Sequence, residues 1–189
     1  MPQPLKSSEF PDIADSAINI STNMIELFRT YPQVDIAVYA NARPSSVFCY
    51  SVEKVFRPYL HSLTTVEAVE LLLAYVQYGF DYATDDEQFG FEKPFFCEEN
   101  YYYPQNDCED RSVLFSFLVR HLLHLDVVLI DYPGHIATAV HFPMEVKGEA
   151  VKYNGKRYVI CDPTYIGAPI GLEMDDFTPA DRTVIPIEP

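Results

Sequence analysis

Positive charge is what this sequence has least of. Its 13 Lys and Arg face 28 Asp and Glu, a formal charge of -15 over 189 residues. Such a surface repels phosphate backbones and anionic lipid headgroups, so nucleic acid is not an expected partner, and a basic or neutral substrate is favoured. Paired cysteines are also missing. Cys49, Cys97, Cys108 and Cys161 form no C-x-x-C pair and no zinc-like spacing, so neither a structural zinc module nor a disulfide scaffold is indicated. No stretch approaches the roughly 18 apolar residues of a membrane span, and residues 1–20 hold no apolar core of signal-peptide length. The chain is expected to be soluble, with its compartment left open; it could be a domain of a longer or exported protein. There is no internal repeat and no low-complexity segment.

What is present is apolar and aromatic. Nearly half the residues are apolar, with 14 Tyr and 13 Phe, and the length is that of one domain able to bury a substantial core. Residues 11–30 read as a helix with Ile13, Ile18, Ile20, Met24, Ile25 and Leu27 on a loose apolar face. "QVDIAVYA" (33–40) has strand-like content, and "SSVFCYSVEKVF" (45–56) is ambiguous because short apolar runs carry no decisive period. Residues 1–60 are therefore read as an N-terminal extension or a helical/strand subregion, and 61–189 as the core.

"LTTVEAVELLLAYVQYGF" is a helix, capped by Thr64 or Thr65, with Val66, Val69, Leu72, Leu73 and Val76 in one stripe. A long aromatic and acidic loop spans 81–104. A second helix is expected over about 108–125, with Val113, Leu114, Phe117, Leu118, Leu122 and Leu125 at helical spacing. The period then changes to two, and "DVVLIDYP", "GHIATAVHF" and "AVKYNGKRYVICDPTY" read as three strands. Helices followed by a mainly antiparallel sheet make an α+β pattern.

The chemistry starts at "NDCEDR". Asp107 can cap the helix, with Asp110 completing a D-x-x-D capping box, which puts Cys108 at the first helical position. Free backbone amides and the positive helix end favour a thiolate there. Asp107, Glu109 and Asp110 act against it by like-charge repulsion, so a cation must approach the sulfur. Of the five histidines, His121 and His124 lie near the far end of the same helix, about 20 Å away. His135 opens a strand after Gly134, and His141 lies about 20 Å further along it. A catalytic histidine needs an orienting group, and Asp162 stands at the end of a strand that can pair beside that of His135. The acids also suit calcium, a hard cation that would offset their repulsion, although capping alone explains Asp107 and Asp110. Cys108 as an inert helix-start cysteine stays open as well.

The set "DCEDRSVLFSFLVR", "GHIATAVHF" and "YVICDPTYIGAPIG" resembles the transglutaminase-like superfamily, with its papain-like Cys-His-Asp fold; the "DCED" form is most similar to the bacterial transglutaminase-like cysteine peptidases. The likeness covers roughly residues 64–175. It implies a cysteine protease or related hydrolase acting on a peptide or isopeptide amide, with Cys108 as nucleophile, His135 as base and Asp162 as orienter. It also implies an oxyanion hole from the Cys108 N–H with Gln105 or Asn106, and a peptide cleft walled by Tyr101, Tyr102 and Tyr103. No cofactor is required on this reading, and calcium on Asp107, Glu109 and Asp110 is admissible. The chain has no tryptophan, whereas animal cross-linking transglutaminases use one on the oxyanion. A non-catalytic peptide-binding module and amine transfer remain the alternatives.

Overall fold

The computed structural model describes residues 18–188. Of the helix expected over 11–30, residues 11–17 lie outside that range; within it α1 is Thr22–Phe28. The strand-like stretch 33–40 is instead helical: α2 is Ile36–Asn41, started by the Asp35 side chain accepting the Ala37 N–H at 2.9 Å. Val34, Ile36 and Val38 give the stretch β-type composition, but the cap and the burial of Tyr39 and Ala40 prevail. The ambiguous 45–56 becomes α3, Ser46–Leu60, capped by Ser45 and burying Phe48, Ser51, Val52 and Phe56 at helical spacing.

Helix α4, Thr65–Gly79, starts with a full Thr64–Glu67 capping box. The 81–104 loop is more ordered than its composition implies. It holds β1 (Asp81–Tyr82), α5 (Asp85–Gln88) and a 3-10 turn at Cys97–Tyr101, and it buries Phe95, Phe96, Glu98, Glu99, Asn100 and Tyr101. Strand β2, Gln105–Asn106, runs parallel to β1. Helix α6, Cys108–Leu123, ends at His124 in the left-handed conformation, φ 55°.

The sheet contains β3 (Val127–Tyr132), β4 (His135–Val140), β5 (Ala150–Tyr153), β6 (Lys156–Cys161) and β7 (Thr183–Pro186). Its order is β5-β6-β4-β3-β7 and every pairing is antiparallel. The third expected strand is in fact the β5–β6 hairpin, turned at Asn154 and Gly155, both at positive φ as a tight turn requires.

Helix α6 is central to this α+β fold. Val113, Leu114, Phe115, Leu118 and Val119 are fully buried, between α2–α4 on one side and the sheet on the other. Alternation divides β3: Val127 and Leu129 join that main core, while Val128, Ile130 and Tyr132 pack on the opposite sheet face with Phe177. Among the described residues no helix is long and apolar enough to cross a membrane. The α6–β4 seam then sets the site: Ser112 Oγ donates to the Ile136 carbonyl at 2.9 Å, so Cys108, one turn earlier on α6, faces the start of β4.

Candidate active site

His135 and Asp162 meet. The β4–β6 pairing lays the two strands side by side, and His135 Nε2 lies 2.9 Å from Asp162 Oδ2. The second Asp162 oxygen is taken by the Thr164 and Tyr165 N–H groups at 2.8 and 3.1 Å, the turn that an Asp-Pro-Thr run favours. Both side chains are largely buried. His135 also lines the cleft that holds Cys108.

Behind Asp162 stands Gln77 of α4. Its Nε2 donates to the carbonyls of Asp162 and Tyr165 at 2.9 Å and of Ala168 at 3.1 Å, and its Oε1 accepts the Gly167 N–H at 3.2 Å. Arg111 joins this scaffold to α6. Only 1% exposed, it donates to Asn106 Oδ1, to Gln77 O and to Phe80 O. Sequence reasoning missed both residues. The available signal was a polar side chain set among the apolar positions of a buried helix.

Cys108 shares a cleft of about 470 Å³ with His135. The thiol, however, donates to Glu109 Oε2 at 3.1 Å rather than to His135. Burial, and next the Glu109 charge, push its pKa well above the usual thiol value, with the Ile136 N–H offsetting them in part. The cleft is acidic: among the described residues Asp85, Asp86, Glu92, Asp107, Glu109 and Asp131 line it, with no Lys or Arg. Burial raises Asp85 to about 6, and burial with the Asp107 charge raises Glu109 to about 9.

The capping box forms only in part. Asp110 Oδ2 accepts the Asp107 N–H at 3.3 Å, while Asp110 Oδ1 accepts that of Phe95 at 2.7 Å. Asp107 makes no cap bond with its own side chain, and its Oδ1 is buried without a hydrogen-bond partner. The expected calcium set is thereby corrected. The three carboxylates with oxygens within 4.8 Å of one another are Asp85, Asp107 and Glu109, and Asp110 is spent on backbone amides. An all-oxygen trio with an unpartnered buried oxygen suits a hard divalent cation. Asp85, far from Cys108 in sequence, carried no local signal.

Other expected site residues lie elsewhere. Asn106, 1% exposed, is spent on Asn100 and Arg111, and Gln105 Nε2 donates to Tyr82 O, so neither amide side chain reaches the cleft. The tyrosine run does not wall it either. Tyr101 is in the core, bonded to the Tyr75 hydroxyl at 2.9 Å; Tyr103 stacks on Phe95; Tyr102 is exposed. The cleft's tyrosines are Tyr82 and Tyr132. The remaining histidines are occupied away from it, His61 on Pro58 O, His121 on Glu53, His141 on Arg157 O, and His124 as the end of α6. Comparison with protein-family models and with curated proteins finds no match to this chain.

Proposed function

We propose that the protein is a cysteine-dependent acyl-transfer enzyme of the transglutaminase-like, papain-like kind, hydrolysing a peptide or isopeptide amide through a thioester on Cys108. The observation that carries this reading is the His135–Asp162 pair at 2.9 Å, with His135 on the same cleft as a cysteine at a helix N-terminus. In the reaction, His135 accepts the thiol proton as Cys108 Sγ attacks the carbonyl carbon. The resulting oxyanion lies against the Cys108 N–H. Its collapse breaks the C–N bond, and His135 returns the proton to the leaving amine. Water, deprotonated by His135, then cleaves the thioester. Asp162 fixes the tautomer and stabilises the imidazolium.

The acids oppose this chemistry until they are neutralised. Calcium held by Asp85, Asp107 and Glu109 would remove their repulsion of the thiolate. A basic side chain in the substrate suits the same acidic cleft. The test is turnover of fluorogenic peptides carrying basic residues, with and without calcium, by the wild type, Cys108→Ala and His135→Ala. Turnover lost in both variants is expected; turnover that survives Cys108→Ala refutes the reading.

A second reading has its own observation: the thiol is bonded to a carboxyl and not to the imidazole. On that reading the cleft binds peptide without turning it over, and Cys108→Ala binds as tightly as wild type with no acyl-enzyme formed by either. Amine incorporation into glutamine peptides in excess of hydrolysis would instead mark a transglutaminase.

A further inference from the structure

Between the end of β6 and the start of β7 the chain crosses the face of the sheet that points away from α6. Gly171 begins this crossing. Its N–H donates to Ile160 O at 2.7 Å, its carbonyl accepts the Glu149 N–H at 2.9 Å, and a Cβ there would lie 2.6 Å from the Gly148 Cα. With φ at +84°, only glycine passes that point without strain. Residues 173–182 then close on themselves. Arg182 grips Glu173 with Nε at 2.7 Å and a terminal nitrogen at 2.6 Å, a two-point pair in which each side chain is under a tenth exposed. Arg182 also donates to Ala150 O at 3.1 Å, and the Tyr132 hydroxyl donates to the same Glu173 carboxylate at 2.7 Å.

This strap delivers one ring. Phe177, half-buried between exposed Asp176 and Thr178, stacks on Tyr132 at 4.4 Å and lies parallel to the His135 imidazole, 7° between planes and 5.6 Å between centroids. Phe177 is not part of the cleft lining, so it acts on the reacting atoms only through His135.

The geometry points to Phe177 as a positioning residue for the His135 imidazole, held in place by the Glu173–Arg182 pair; the inference rests on the acyl-transfer reading above. A single hydrogen bond from Nε2 to Asp162 fixes one point of the ring, and histidine χ2 is broad. A parallel aromatic face fixes the plane and thus the direction in which the second nitrogen aims. It also favours the imidazolium that forms during turnover. An imidazole free to tilt loses the near-attack geometry toward Cys108, a loss that reaches about a hundredfold per ångström of misplacement.

The experiment compares Phe177→Ala, Phe177→Leu, Phe177→Tyr and Arg182→Lys by steady-state kinetics and by NMR of the His135 side chain. The expected result is kcat down about tenfold or more in the Ala and Leu variants with KM within about twofold. Tyr, which keeps the ring, restores kcat, and Lys, which loses the two-point grip, gives an intermediate value. The His135 Nε2–H proton signal, sharp in the wild type, broadens by solvent exchange in the Ala and Leu variants. Leu restoring both kcat and the signal would overturn the inference, because bulk alone would then suffice. An unchanged signal in Phe177→Ala would overturn it as well. The NMR arm separates the two claims: a wild type inactive on every substrate, with a signal still dependent on Phe177, sinks the hydrolase reading and upholds the hold on His135.

Discussion

Replacing Gln77 by leucine tests the scaffold under Asp162. The side chain is 3% exposed and its amide serves three carbonyls and one N–H. Leucine keeps most of the volume and none of the hydrogen bonds. The bonds to Asp162 O and Ala168 O are fully buried, while those to Tyr165 O and Gly167 N are partly accessible and can be taken over by water. Leaving two buried carbonyls unpaired costs about 1–3 kcal/mol each, so the expected destabilisation is about 4 kcal/mol. For a chain of this size that lowers Tm by roughly 10 °C. Gln77→Glu is the sharper control. It keeps the acceptor for Gly167 but points an oxygen at three carbonyl oxygens, which raises the carboxyl's folded-state pKa. Stability in that variant is therefore present at low pH and lost as pH rises through the raised value. Urea unfolding of the three proteins at about pH 5 and pH 8 reads both effects. A Gln77→Leu protein within about 1 kcal/mol of wild type would refute the assigned role.

Further outcomes follow from the same contacts. Asp85 and Glu109 are raised by burial to about 6 and about 9, so the stability they contribute exists in acid and is lost as pH climbs through those values. Glu109→Gln should therefore melt above wild type near pH 8 and level with it near pH 4, as thermal scans will show; the opposite order contradicts the burial argument. Calcium should raise the wild-type Tm near pH 8 and lose that effect in Asp85→Asn, measured by calorimetry. Tyr101→Phe leaves the buried Tyr75 hydroxyl without its partner and should cost about 1–3 kcal/mol in urea unfolding. Tyr102→Ala, at an exposed position off the cleft, should leave both stability and peptide turnover unchanged.

The parts of the fold legible in the sequence are those where several local signals agree. Helices α4 and α6 have a cap residue, acids in the first turn and a long apolar stripe, and each starts where those signals place it. Helix α2 was misleading because six residues carry too little period to outweigh β-branched composition. The β5–β6 hairpin was hidden inside one run because Asn154-Gly155 takes only two residues to reverse the chain. Strand β7 is four residues ending in proline, and its pairing with β3 spans more than fifty residues of sequence.

The site shows the same division. Cys108, His135 and Asp162 stand at element ends that sequence marks well: a helix start, a glycine-preceded strand and an Asp-Pro stop. Asp85, Gln77 and Phe177 reach the site only through tertiary packing. The tyrosine run misled for the converse reason. Closeness to Cys108 along the chain does not bring a side chain into the cleft when its ring has a core position to fill, as Tyr101 does.

The most direct test of the central claim is the rate at which iodoacetamide alkylates Cys108, followed by peptide mass spectrometry against the half-buried Cys49 as internal standard. It is run with calcium present in the wild type, His135→Ala and Asp162→Asn. The account predicts that wild-type Cys108 reacts at least about tenfold faster than Cys49, and that the advantage disappears in His135→Ala and shrinks in Asp162→Asn. A Cys108 no faster than Cys49, and unchanged by either substitution, would contradict it.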